Sequence, residues 1–422
     1  MQDFKPLIKN SKFVYLWTSQ VLSQLTINIM NFLLLIRLYE RTGSSIATSF
    51  LWVAYALPAI LIGPIAAASV DIFDRRKMLV IANLLQSAAI FVYAFLHETS
   101  FFLLYGIAVT YSFFNQFYVP AEAASLPSLV KKKSLPQANG LFFLTQQAAL
   151  IIGFGFAGLL NHTLGFSSSL YLCSFFLLLA FISVSFLPTM RTRERMPRSF
   201  EQALYKFFSR IIEGYKFIKE NRSILLPFVL MMGLSVSLSV IVVSMPVLAE
   251  DIFRINVNSA GVMIVVPAGI GAAIGTFVVT RLLNKGWRKK RVIETFLQMM
   301  ALILFIFTFI LPEITNYGRI ILGTTCVLLI GLSFIGILIP SQTYLQEKTP
   351  GGLRGRVFGN YWFLVTVATV FPVIFSGAIT EIFGIRLLMF LLTGLVITAL
   401  FFSKKYGQSV IDEGLNFYKN GE

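Results

Sequence analysis

Apolar runs of about 20 residues recur along the whole chain, separated by short turns that collect nearly all of the charge. A run of that length is what a helix needs to cross the hydrocarbon core of a bilayer. Lipid offers no partner to backbone N–H and C=O groups, so each run is constrained to be helical. The runs predict twelve spans, over residues 13–38, 46–70, 78–96, 101–125, 138–160, 167–188, 223–249, 257–282, 292–311, 318–343, 357–380 and 385–403. With 56% hydrophobic and only 13% charged residues in 422, a water-soluble core is excluded. The first run is of full-span length and has no small-residue cleavage site, so it reads as a span and not as a leader. Cys173 and Cys326 both fall within spans, which points to neither a disulfide framework nor a metal site. His97 and His162 are read as ordinary surface residues at outer helix ends.

Orientation follows from the basic residues. Of the 35 Lys and Arg, 30 fall on one side of the twelve-span reading, and Arg37, Arg41, Arg254, Arg319 and Arg386 fall on the other. Positive charge marks the cytoplasmic side, so both termini are expected there, in the plasma (cell inner) membrane. The net charge of +16 is thereby a matter of topology, and no nucleic-acid partner is expected. The even count divides at the one long connection: a six-helix bundle over 1–188, a linker over 189–222, a second bundle over 223–403 and a tail over 404–422. Within the linker, Phe200, Ala203, Leu204, Phe207, Phe208, Ile211, Ile212 and Tyr215 repeat at helical spacing opposite Lys206, Arg210, Glu213 and Lys216. That pattern predicts an amphipathic helix on anionic inner-leaflet lipids. The halves also echo each other: Gly63, Arg76, Lys77 and Val80 recur 212 residues on as Gly275, Arg288, Lys289 and Val292. Duplicated halves are a common plan of transporters.

The most specific stretch is GPIAAASVDIFDRRK, residues 63–77. It resembles the loop between helices two and three of the major facilitator superfamily, G-x-x-x-D-R-x-G-R-R. Asp71, Arg75 and Arg76 fall on its acid and its two closing basic positions, while Ala67, Ile72 and Asp74 depart from it. The acid at the second Gly position resembles the branch holding macrolide-efflux and enterobactin-exporter-like proteins. PAEAASLPSLV (120–130), LPQANGL (135–141), EGYKFIKENRSIL (213–225) and LRGRVFG (353–359) extend that resemblance over almost the whole chain. It implies an all-α fold of twelve membrane helices in two pseudo-symmetric bundles, working by alternating access. It further implies that Asp71, Arg75, Arg76 and Glu122 form a charge relay latching the inner gate, with Arg354 and Arg356 serving the equivalent loop of the other half. A plain positive-inside turn is the competing reading of the same charges.

Gln20, Gln24, Asn28 and Asn31 share one face of the first helix. Amides facing lipid are costly, so this face either lines a substrate cavity or serves as interhelical glue. Gln146 and Gln147 on helix five are similar candidates. Gly140, Gly153 and Gly158 match the family's antiporter signature on helix five, which Ala149, Phe154 and Ala157 break. With Gly271 and Gly275 these glycines are read as helix-packing positions. Where the branch often carries Asp on helix one, this chain has Ile27.

The sequence has no G-x-x-x-x-G-K-[ST] phosphate cradle, no nucleophile–base pair and no metal-ligand cluster. An enzyme is therefore not expected, and neither is a cofactor. No carboxylate falls near the middle of any predicted span, so proton coupling would rest on Asp71, Glu122 or a loop acid. The reading is a monomeric secondary transporter exporting an amphipathic or aromatic small molecule, such as a drug, macrolide or siderophore. A lysophospholipid carrier and a non-transporting receptor or assembly factor with the same fold are the alternatives. The orientation makes a direct prediction. Cysteines introduced at Lys132 and Arg288 will react with membrane-impermeant maleimide only from the cytoplasmic side, and one at Asn316 only from outside. Labelling of the Lys132 position from outside would reverse the topology.

Overall fold

The structure is a computed structural model that describes residues 5–70, 72–131, 134–190, 205, 209, 212–213, 215–350 and 354–406. Among them every regular element is helical. After a short helix, Lys5–Ile8, the spans run α1 Ser11–Thr42, α2 Ser45–Ser69, α3 Arg75–Leu96, α4 Leu103–Leu129, α5 Leu135–Leu164 and α6 Phe166–Ser185. The second set is α7 Arg222–Val243, α8 Val266–Asn284, α9 Lys289–Phe305, α10 Asn316–Lys348, α11 Arg354–Phe383 and α12 Ile385–Tyr406. Counting the helical turns that extend α8 back to Val257 and α9 on to Glu313, eleven of these twelve regions are long and apolar enough to cross a membrane. The remaining one, α4, has the length (27 residues), but Asn115, Gln116 and Glu122 interrupt its apolar run. Most of the predicted amphipathic linker helix, including Phe200, Ala203, Leu204, Phe207, Phe208 and Ile211, lies outside the described residues.

Helix ends are set by local chemistry. Asn10 caps α1, its Oδ1 accepting the Lys12 N–H at 3.2 Å. Its Nδ2 donates to the Leu129 carbonyl at 2.7 Å, tying the start of α1 to the end of α4. Asp74 caps α3 by accepting the Lys77 N–H at 3.3 Å. A carboxylate there satisfies an orphan donor and faces the positive end of the helix dipole. Gly43 closes α1 in the left-handed region, φ +60°, with its N–H on the Tyr39 carbonyl.

The contacts divide the chain into two units, Met1–Gly43 with Phe50–Phe207, and Ser44–Ser49 with Phe208–Glu422. In the first, α1 packs on α5 and α6, and α3 packs on α4 and α6. In the second, α7 packs on α11, and α9 packs on α10 and α12. The pairings α1–α5, α3–α4 and α3–α6 thus recur as α7–α11, α9–α10 and α9–α12, which gives the weak sequence repeat a structural counterpart. The first turn of α2 belongs to the second unit. There Glu381 accepts the Ser44 hydroxyl at 2.6 Å and the Ile46 N–H at 3.0 Å, capping α2 from α11.

The second unit has one pairing that the first lacks at comparable closeness, α8 against α10. A Cβ added at Gly271 would lie 1.8 Å from the Leu328 carbonyl oxygen, and one at Gly331 would lie 2.0 Å from that of Ala268. At Gly275 the Leu332 oxygen would be 2.9 Å away. Small residues let backbones approach this closely, which matters in lipid because burial of apolar surface no longer drives association. Gly140, by contrast, is exposed with nothing within 4 Å of an added Cβ. Gly271→Ala is therefore expected to cost about 3 kcal/mol through the displaced α10 backbone. Gly140→Ala should be neutral or slightly stabilising, since Ala favours helix over Gly. Thermal unfolding of the purified variants in one detergent checks this; equal melting temperatures would disprove the α8–α10 contact.

Candidate functional site

The end of the first unit that carries the α2–α3 loop brings together Glu122, Arg75 and Arg76. Glu122, on α4, is only 8% exposed. Its Oε1 accepts the Tyr118 hydroxyl at 3.0 Å, one helical turn earlier. The Tyr118 oxygen is 3.1 Å from the Ser19 hydroxyl of α1, and Ser19 in turn accepts from Asn83 Nδ2 of α3 at 3.0 Å. Because Tyr118 spends its own hydrogen on Glu122, every donation runs one way: Asn83 to Ser19, Ser19 to Tyr118, Tyr118 to the carboxylate. Such chains polarise one another and strengthen in a low-dielectric interior. Asn83, Ser19 and Tyr118 are all buried, and Asn83 Oδ1 is left with no partner.

The guanidinium groups of the α2–α3 loop grip backbone. Arg75 donates to the Ala124 carbonyl of α4 at 2.8 Å, and Arg76 donates to the Ser185 carbonyl of α6. Among the described residues no ion pair joins Glu122 to either arginine; its hydrogen-bond partner is Tyr118. Asp71 lies outside the described residues, as do the side chains of Arg354 and Arg356. The neighbouring Asp74 was not expected to matter beyond its departure from the loop pattern. Besides capping α3, its Oδ1 accepts the Met190 N–H at 3.4 Å, while the Arg75 N–H donates to the Met190 carbonyl at 3.4 Å. The chain leaving α6 is thereby paired with the α2–α3 loop. Its Oδ2 is buried without a partner.

The amide face of α1 divides in two. Gln20 is buried and donates to the Phe142 carbonyl of α5 at 3.2 Å. Asn28 is buried as well, and its Nδ2 donates to the Gln24 carbonyl of its own helix at 2.7 Å. A Cβ on Gly153 would come within 2.5 Å of Asn28 Cβ, so the two mark the crossing of α1 and α5. Gln24 and Asn31 are half-buried, whereas Gln146 is exposed on α5 and Gly158 is buried there. In the second unit, Lys289 pairs with Glu347, linking the start of α9 to the end of α10, while Lys290 pairs with Glu294 (3.7 Å) within α9.

One expectation needs correcting. His97 is not a surface residue: it is 6% exposed, with its ring 5.1 Å from that of Phe166 and its Nδ1 donating to the Ala94 carbonyl at 3.1 Å. The start of α6 folds over the C-terminal end of α3, which a reading by span ends could not see. Tyr118 was missed too, although its spacing of four from Glu122 places the two on one helical face and could have signalled the pair.

The sequence model of the Major Facilitator Superfamily matches residues 16–372. The chain belongs to that superfamily. Its members are transporters and not enzymes, and the chain is a multi-pass membrane protein of that type. It is 26% identical over 397 residues to macrolide efflux protein A of Streptococcus pyogenes, covering 92% of this chain and 93% of that one. It is 26% identical over 310 residues to the enterobactin exporter EntS of Escherichia coli O1:K1 / APEC, covering 71% and 68%. Among solved structures it is similar to a bacterial homologue of the iron transporter ferroportin in its inward-facing state, with TM-score 0.72, 16% identity and coverage of 95% and 99%. The resemblance to the efflux branch read from the loop motifs is thus borne out, and so is the all-α major facilitator fold.

The donor chain ending on Glu122 generates a test. Tyr118→Phe should cost about 1–3 kcal/mol, because the buried carboxylate loses its donor. Tyr118→Phe combined with Glu122→Gln should cost less than the two single changes together, since residues of one network are not additive. A double-mutant cycle by thermal unfolding reads the coupling; strict additivity would show that the two residues act independently.

Proposed function

We propose that this superfamily member is a secondary active exporter of an amphipathic or aromatic small molecule, working by alternating access. The observation that carries the reading is the recurrence of the α1–α5, α3–α4 and α3–α6 pairings as α7–α11, α9–α10 and α9–α12. Two repeats of one architecture supply the paired arrangement that alternating access requires. Relatives named for macrolide efflux and enterobactin export support the outward direction.

In this reading the inner cluster is a latch. Arg75 and Arg76 hold the start of α3 to the inner ends of α4 and α6, and Asp71 and Glu122 supply the charge that responds to water or protons entering from the cytoplasm. Arg354 and Arg356 take the equivalent part in the other half. Gln24, Asn31 and Gln146 are the cavity-lining candidates, and Asn28 contributes by fixing the α1–α5 crossing. Both termini face the cytoplasm, the plasma membrane is the location, and the protein works as a monomer with anionic inner-leaflet lipids against its basic loops.

Inside-out vesicles from a strain lacking its own drug pumps provide the test. With the protein present they should accumulate a fluorescent amphiphile saturably, and dissipating the proton gradient should abolish accumulation. Loss of a latch worth about 3 kcal/mol would shift a conformational ratio roughly a hundredfold. Arg75→Ala and Glu122→Gln should accordingly slow transport by one to two orders of magnitude while equilibrium binding stays near wild type. Vesicles that accumulate nothing above the background of an empty membrane, across neutral, cationic and anionic amphiphiles, would refute the exporter reading.

A further inference from the structure

Halfway along α2 and α4 the first unit carries a polar seam that the loop motifs do not touch. The Ser112 hydroxyl donates to the Tyr55 carbonyl at 2.6 Å, bridging the two helices. Asn115 Nδ2 donates to the Tyr55 hydroxyl oxygen at 3.4 Å, and Gln116 Nε2 donates to the Ser112 carbonyl at 3.3 Å. Those bonds use the NH₂ groups and leave three others: the hydroxyl hydrogen of Tyr55 and the side-chain oxygens of Asn115 and Gln116. The Gln116 oxygen lies beside the bare backbone of Gly63, where an added Cβ would be 3.6 Å away. Tyr55, Asn115 and Gln116 are each half-buried.

The equivalent seam of the second unit is α8–α10, closed by the glycine-on-carbonyl contacts at Gly271 and Gly331. Gly63 recurs 212 residues on as Gly275, so the two seams share a register but not a chemistry. One is sealed by backbone, while the other is spanned by neutral polar side chains. Half-exposed amides at this depth are costly against lipid, so this seam faces a polar or wet space. It also has no charge. Helix α2 contains no Asp, Glu, Lys or Arg, and the single one in α4, Glu122, is buried against Tyr118. A charged ligand placed here would lose hydration with no countercharge from either helix. A neutral ligand lacking hydroxyl or amide groups would leave the three polar atoms unpaired.

We infer that the α2–α4 seam is a ligand subsite selective for an uncharged amphiphile bearing hydroxyl or amide groups. Tyr55 donates to the ligand, and the side-chain oxygens of Asn115 and Gln116 accept from it. The inference rests on the exporter reading and narrows its substrate to neutral molecules.

Binding to the purified full-length chain in nanodiscs tests it with three fluorescent probes: 4-methylumbelliferyl glucoside (neutral, hydroxyl-rich), rhodamine 6G (cationic) and carboxyfluorescein (anionic). The glucoside should bind saturably and more tightly than either ion. Tyr55→Phe and Asn115→Leu should each weaken it about fivefold or more, while Gly140→Ala leaves it unchanged. Matching size-exclusion profiles confirm that the variants are folded. The inference is overturned if the glucoside does not bind, if an ion binds as tightly, or if both seam variants bind it like wild type. Saturable vesicle transport of rhodamine with no charge preference would remove this inference and leave the exporter standing. Seam-dependent glucoside binding with no transport of any probe would remove the exporter and keep the subsite.

Discussion

The bilayer withholds two things that a water-soluble fold relies on, a partner for stray polar groups and a hydrophobic drive between helices. Much of this chain follows from that. Large apolar side chains face outward freely: Phe277 is 78% exposed and Phe102 77%. Apolar surface is therefore not what brings the helices together. Close backbone approach and satisfied polar groups take its place, and the two units use these in different proportions. The second unit relies on glycine, as at Gly271 and Gly331 against the α10 and α8 carbonyls. The first relies on hydroxyls and amides, with Ser19, Asn83, Ser87 and Ser174 all bonded across helices. The second unit keeps some polar bonds, such as Tyr361 to the Ser235 hydroxyl (2.7 Å) and the Met231 carbonyl (3.2 Å), so the halves differ in proportion and not in kind.

Most of the architecture was legible because spans announce themselves by length. The predicted runs and the observed helices differ mainly at their ends, where α10, predicted over 318–343, continues to Lys348. The charged turns beyond the lipid remain helical although they are no longer apolar, so hydropathy alone stops short of them. Helix α4 shows the reverse. Its polar residues weaken the span signal, and those same residues, Asn115, Gln116 and Glu122, form the two polar sites of the first unit.

The candidate site was legible only in part, because sequence spacing speaks for neighbours on one helix and is silent across helices. Tyr118 and Glu122 are four apart and could have been paired on paper. Ser19 and Tyr118 are 99 residues apart, and Asp74 and Met190 are 116 apart; no periodicity relates them. The glycines make the same point. Gly140 and Gly153 both match a family pattern, yet only Gly153 meets another helix closely, at Asn28. A small residue permits close approach without causing it.

The end of the first unit that carries the α2–α3 loop shows why that loop is tied to helices far from it in sequence. Asn10 joins the start of α1 to the end of α4, and Arg75 joins the start of α3 to the same end of α4. Arg76 reaches the end of α6, and Asp74 with the Arg75 N–H holds Met190 just beyond it. Leu7, Leu79, Leu126, Leu129 and Met190 pack as one buried cluster beneath these bonds. A carboxylate committed to the Lys77 and Met190 N–H groups has little left to offer an arginine, so Asp74 acts as a fastener of backbone. The guanidinium groups do the same from the other side by taking carbonyls. With Asp74, Arg75 and Arg76 all bonded to backbone, this part of the loop is tied to the ends of α4 and α6. Among the described residues of this cluster, the carboxylate that accepts from a side chain and not from backbone is Glu122. A change at Glu122 would therefore be felt first along its donor chain, at Tyr118 of α4, Ser19 of α1 and Asn83 of α3.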